Sequence, residues 1–435
     1  MYFCTVEQNE QIPDFSEVLE VASEAGHILL ENGAELSRVE DIMNRISTHF
    51  GVSSGHFFIL SNGIFTSGKA EKKVPKTGGQ ASTYANVAFI PIRATQFSRV
   101  TAVNRLSYDI AAGRCNLEQA RERLEVIKKL PGKPVWEQLI ATSASAAAFS
   151  AVFGGGFLDC AAAAIAGIVL FLFIHFVSSR YMSRIVAGVS NAVVASAVSI
   201  LCWRLGLGDS LSDIIIGAVM PLIPGVPFTN GVRDLANSDY LAGLTRLTDA
   251  MLGFACIALG VSFAFLVDGA IFGQIIKLTG VTANPQTAGF FWQGVAALLG
   301  TLGFTAIYGV DREHYLSSGV IGVAGWMVYL LLVRYAGMTA PVASLFSAFV
   351  ICVLSRFAAV LNRCPAQVFT VCGIFTLVPG AGVFWFSYYV TTSQFELGLG
   401  SGFMALKVAV AIVLGIVFAM ELPQRLFSRH RKATH

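Results

Sequence analysis

The chain has 435 residues, 54% hydrophobic and 13% charged, with a formal net charge of +3. Soluble domains carry about 25% charged residues; with a mean hydropathy of +0.65, a wholly soluble protein is excluded. No basic stripe with interleaved aromatics points to nucleic acid. The charge is uneven: residues 1–137 hold 31 of the 57 Asp, Glu, Lys and Arg side chains, leaving 26 for the other 298. A soluble-type segment therefore precedes a membrane segment. The first twelve residues are polar, which argues against a cleavable signal peptide and for a cytoplasmic start. Eight scattered cysteines form no CxxC and no Cys/His cluster, so no disulfide, metal or cofactor is expected.

In residues 14–32, Val18, Val21, Ala22, Ala25, Ile28 and Leu29 recur at helical spacing, and Asn32-Gly33 is a C-cap signal. A second helix over 34–50 carries Leu36, Val39, Ile42, Met43 and Ile46 on one face, until Gly51 stops it. Residues 56–66 read as a hairpin turning at Asn62-Gly63, 67–81 as a Lys- and Gly-rich loop, and 83–93 as a strand. Helices follow at 98–112 and 117–130, and Pro131 and Pro134 form a linker. Residues 1–134 thus read as a small α+β domain.

From 135 onward the chain holds uncharged runs near the ~20 residues needed to cross a bilayer. They give ten spans: 136–153, 157–177, 185–203, 211–228, 248–267, 287–309, 316–333, 339–361, 366–383 and 403–421. With the N-terminus inside, short inner loops carry Arg180, Arg184, Arg233, Arg246, Arg312, Arg356 and Arg363; outer ones carry Arg204, Lys277 and Arg334. That bias fixes an N-inside orientation. With ten spans, the basic tail (Arg425, Arg429, Arg431, Lys432) also falls inside.

The fourth span is interrupted by Pro221, Pro224, Gly225 and Pro227, and then come Asn230, Arg233, Asp234 and Asp239. Proline removes a backbone donor and clashes with the preceding turn, so the helix breaks. A break at membrane depth is tolerated where protein or water supplies partners, and marks a substrate or ion site. PLIPGVPF at 221–228 resembles TLVPGAGVF at 376–384. A shift of 155 pairs Pro224 with Pro379, Gly225 with Gly380, Ser238 with Ser393 and Gly243 with Gly398. Both breaks fall in the fourth of five spans. Because five is odd, the halves 135–268 and 269–435 are inverted relative to each other, as in secondary transporters. The fold class expected is therefore all-α membrane protein, two inverted five-helix repeats after the α+β domain.

Gly33-Ala34-Glu35 with Arg38-Val39-Glu40, MPLIPG at 220–225 with Asn230, Arg233 and Asp234, and the run Leu377-Val378-Pro379-Gly380 resemble the bacterial threonine/serine exporter family, including relatives split into two chains. The resemblance covers nearly the whole chain. It implies a multi-pass protein of the bacterial cytoplasmic membrane, both termini inside, that exports small polar amino acids coupled to protons, without being an enzyme. Split relatives bring in dicarboxylate export as the alternative substrate class. Asn237-Ser238-Asp239 stands where the family pattern has a Gly-Asp pair, so that loop carries over less directly. The substrate site is expected at Pro224, Gly225, Asn230, Pro379 and Gly380, with Arg233, Asp234 and Asp239 coupling or gating. Glu35, Arg38 and Glu40 are the gating residues expected of the first domain; Glu35 and Arg38, three apart, can pair. Small organic acids, protons and lipid are the expected partners, and a homo-oligomer is compatible with the pattern. A membrane-anchored hydrolase is the competing reading. Ser37 and His27 lie on separate helices and show no nucleophile–base pairing, while paired broken helices favour transport. Asp159 reads as an interfacial N-cap, His175 as a packing residue and Lys407 as a snorkelling one.

Overall fold

The computed structural model describes residues 14–52, 55–69, 83–90, 95–278 and 289–427. Of the expected loop at 67–81, residues 67–69 are strand and 70–81 lie outside the described residues, as do strand residues 91–93 and the tail from 428. The chain divides into two units, one within Met1–Ala94 and Arg99–Leu130, the other within Thr95–Ser98 and Pro131–His435.

The first unit contains α1 (Phe15–Glu31), α2 (Leu36–His49), β1 (Gly55–Leu60), β2 (Gly63–Lys69), β3 (Thr83–Phe89), α3 (Phe97–Ala111) and α4 (Leu117–Lys128). The strands form one antiparallel sheet in the order β1-β2-β3. The apolar stripe of α1 is buried, as its 3.6-residue period requires. The helix ends at Asn32, and Gly33 follows at φ 86. Asn116 and Gln119 form a capping box at the start of α4. The hairpin turn falls one residue before its expected place, at Ser61-Asn62, because Leu60 pairs with Gly63. Gly63 is already in the central strand, opposite Phe89, where an added Cβ would lie 3.2 Å from the Ala88 carbonyl oxygen.

In the second unit, α5 (Val135–Phe153), α6 (Phe157–Tyr181) and α7 (Arg184–Arg204) lead to α8 (Leu211–Leu222), α9 (Gly225–Ala236) and α10 (Tyr240–Phe272). Then come α11 (Phe290–Ile307), α12 (Arg312–Arg334), α13 (Ala340–Asn362), α14 (Ala366–Ile374), α15 (Gly380–Thr391) and α16 (Phe395–Met420). Among the described residues seven helices are long and apolar enough to cross a membrane: α6, α7, α10, α11, α12, α13 and α16. The pair α8 and α9, bent by 61°, makes an eighth span if counted as one. This is a mostly helical, multi-pass membrane protein.

The 155-residue shift holds for whole elements. The starts of α5, α6, α8, α9 and α10 (135, 157, 211, 225, 240) recur at 290, 312, 366, 380 and 395; α7 at 184 recurs at 340, one residue further on. Contacts repeat as well. An added Cβ on Gly167 would meet Ala146, and one on Gly322 would meet Thr301, which is Ala146 shifted by 155. Phe149 stands edge-on to its own equivalent, Phe304, with ring centroids 5.4 Å apart.

Candidate functional site at the broken helices

Each break is one proline in an inverse γ-turn, for which φ is about −75° and ψ about +65°. Pro224 has φ −78 and ψ 59; Pro379 has φ −76 and ψ 51. The Gly225 N–H donates to the Ile223 carbonyl at 2.8 Å, and the Gly380 N–H to the Val378 carbonyl at 2.7 Å. After each break a twelve-residue helix runs to a serine in the left-handed region, Ser238 at φ 68 and Ser393 at φ 60.

The two breaks interlock. A Cβ on Gly225 would overlap the Phe375 ring, and one on Gly380 would lie 2.7 Å from Met220 Sδ and 2.8 Å from Ile223 Cδ1. Met220 and Phe375 are themselves 155 apart, so each glycine faces the residue five positions before the other glycine. Glycine lets the two segments approach this closely without displacing those side chains. Phe375 in turn stacks on Phe304, centroids 3.8 Å apart.

A polar layer lies beyond the first break. Gln367 Nε2 donates to Asn230 Oδ1 at 2.7 Å, joining α14 to α9 across the halves. Asp234, fully buried, accepts from Arg246 Nη1 at 2.9 Å, and Arg233 is buried beside it in the chain. Charges withdrawn from water in this way persist only when paired. Asp239 occupies the N-cap position of α10 without a side-chain capping bond and is exposed.

The structure therefore brings Gly225 and Gly380 to the same crossing, sets Asn230 against Gln367, and sets Asp234 against Arg246. Pro379 lines a separate cavity of about 260 Å³ with Phe228, Met251, Phe254, Val383 and Leu406. Every side chain lining that cavity is apolar, so it offers nothing to a zwitterion. In the first unit Arg38 Nε lies 3.9 Å from Glu35 Oε1, at the outer limit of an ion pair, and Glu40 is exposed. Asp159 accepts from the N–H groups of Gly156, Asp209 and Ser210. Asp311, Glu313 and His314 have ligand-type atoms within 4.8 Å of one another, and His314 Nε2 lies 3.5 Å from Glu313 Oε1. Sequence reading missed Gln367, the role of Arg246, and Asp213. A lone amide or carboxyl inside an apolar span is the signal that finds Gln367 and Asp213.

Helices of membrane-spanning length, one of them bent at a proline break, define the class: a multi-pass transporter. Residues 20–267 match the family described as "Putative threonine/serine exporter", and residues 293–421 match "Threonine/Serine exporter, ThrE". The chain belongs to the threonine/serine exporter family. It is 22% identical over 421 residues to a threonine/serine exporter of Corynebacterium glutamicum, covering 94% of this chain and 83% of that protein. It is 25% identical over 354 residues to a probable threonine/serine exporter of Mycobacterium tuberculosis, covering 75% and 62%. A probable succinate transporter subunit of Klebsiella aerogenes is 26% identical over 243 residues, covering 55% and 90%. No solved structure matches.

Proposed function

We propose that the protein exports threonine and serine from the cytoplasm in exchange for protons, across a bacterial inner membrane. The single observation that carries this reading is the reciprocal crossing of the two Pro-Gly breaks, in a chain whose two halves both match exporter families. Paired broken helices at a repeat interface are how secondary transporters build a midplane site. We assign ten spans to residues 135–421, as two inverted repeats meeting near 268, with residues 1–134 as a regulatory domain. Helix α5 and the pair α14 and α15 supply the two spans beyond the eight. Both termini are cytoplasmic on this reading.

The roles follow from chemistry. N–H groups at the starts of α9 and α15 carry partial positive charge and suit the substrate carboxylate. The Asn230 side-chain oxygen, which has a second lone pair besides the one facing Gln367, suits its ammonium group; the Pro224 and Pro379 carbonyls already accept from the Phe228 and Val383 N–H groups and would have to be released first. With side chains packed against both glycines, the crossing is in an occluded arrangement, and transport requires the halves to part there. Arg233, Asp234 and Asp239 form the gate; Asp234, held by Arg246, suits a fixed charge better than a proton carrier. Glu35, Arg38 and Glu40 belong to the regulatory domain. The Klebsiella relative favours a second reading, export of a dicarboxylate such as succinate. Cells loaded with labelled threonine, serine or succinate separate the two: expression should speed efflux of the amino acids and leave succinate unchanged. Faster efflux of succinate alone would overturn the amino-acid reading.

A further inference from the structure

Asp213 lies in the first turn of α8, inside the broken span, and is 4% exposed. An acidic residue there ordinarily completes a capping box by accepting from the N-cap N–H. Here the N-cap is Ser210, and its N–H donates instead to Asp159 Oδ1 at 2.9 Å. Asp159 also takes the Asp209 N–H at 2.7 Å, so the loop is already held without Asp213. Asp213 Oδ1 has no hydrogen-bond partner among the described residues. The Ser210 hydroxyl lies 3.1 Å from that of Ser212.

No cation faces it. On α6 the titratable neighbours are Asp159 and Cys160. Helix α5 has no charged side chain after Glu137, and α15 has none. On α7, Cys202 is buried, while Arg204 is held by Asp268 in two bonds of 2.7 Å and Arg184 by Asp249 at 3.2 Å. A lone buried carboxylate is costly, and taking up a proton removes that cost. Asp234 differs: it has Arg246 as a counter-ion.

A second observation points the same way. The Ser150 hydroxyl on α5, the helix packed against α8, is also buried without a hydrogen-bond partner among the described residues. Gly217, one turn beyond Asp213 on α8, abuts Ser150. Buried polar groups without a protein partner call for water. We infer that Asp213 is the carboxyl that binds and releases the coupling proton. This rests on the proton-coupled export reading above: the proton enters on Asp213 as the amino acid leaves.

The test uses the full chain in proteoliposomes with labelled serine. Asp213→Asn should keep counterflow at equal pH within twofold of wild type, and lose at least tenfold of the accumulation driven by a pH gradient. Asp213→Glu should restore accumulation with a displaced pH profile. Wild-type accumulation by Asp213→Asn overturns the inference. So does loss of its counterflow in monodisperse protein, since a purely structural role would do the same. If the Asn variant cannot be isolated, an unshifted profile in Asp213→Glu overturns it. Absence of counterflow in the wild type would instead refute the export reading itself, and counterflow without gradient-driven accumulation would refute the coupling.

Discussion

Gly225 and Gly380 are equivalent by position, yet substituting them should have unequal effects. A Cβ at Gly380 meets the end of Met220, 2.7 Å away at Sδ, and Ile223 Cδ1 at 2.8 Å. Methionine has three rotatable bonds and can move aside. A Cβ at Gly225 meets the ring of Phe375, with two further ring atoms at 2.8 Å. That ring cannot yield, being fully buried and stacked on Phe304, which is packed on Phe149. Overpacking of this kind costs about 1–3 kcal/mol. Gly225→Ala should sit at the top of that range and Gly380→Ala at the bottom. At roughly 2–4 °C per kcal/mol, the first should lower the thermal midpoint of the detergent-purified protein by several degrees more than the second. Transport should follow the same order. Adding Phe375→Met, which copies the residue present at the equivalent position 220, should recover most of the Gly225→Ala loss. Equal effects of the two alanines, or no recovery with Phe375→Met, would refute the reciprocal crossing.

Arg246→Ala should destabilise the protein by about 3–5 kcal/mol, because it leaves the buried Asp234 carboxylate without that partner; thermal melts monitored by size exclusion measure it. Asp234→Asn combined with Arg246→Met should recover part of the loss, and an Arg246→Ala protein as stable as wild type would remove the ion pair from the account. Topology is open to thiol labelling in a cysteine-free background. Cysteine at Tyr335, 75% exposed, should label from outside, and cysteine at Glu313 only after permeabilisation; the reverse pattern would contradict the inverted arrangement.

Much of this arrangement is written locally. The two Pro-Gly breaks, their spacing of 155 and the two Ser residues that end the following helices are visible in the chain, since each depends on its own backbone preferences. The packing partners across the halves are not. That Gly225 faces Phe375 and Asn230 faces Gln367 depends on how two distant segments register, and no local pattern encodes it. Asp213 escapes for another reason: uncharged runs begin after the last charge, so a carboxyl one residue outside a run looks like its boundary. Arg246 reads as an inner-loop charge under the positive-inside rule, although it is buried against Asp234. The hairpin turn slips by one because Asn-Gly marks a turn but does not say which of its residues already belongs to a strand.

Counterflow by the purified full chain in proteoliposomes tests the central claim most directly. Vesicles loaded with unlabelled threonine or serine should take up trace labelled threonine above equilibrium, and Gly225→Val should abolish the uptake. Uptake driven by internal succinate but not by threonine or serine, or normal counterflow in the Gly225→Val protein, would contradict it.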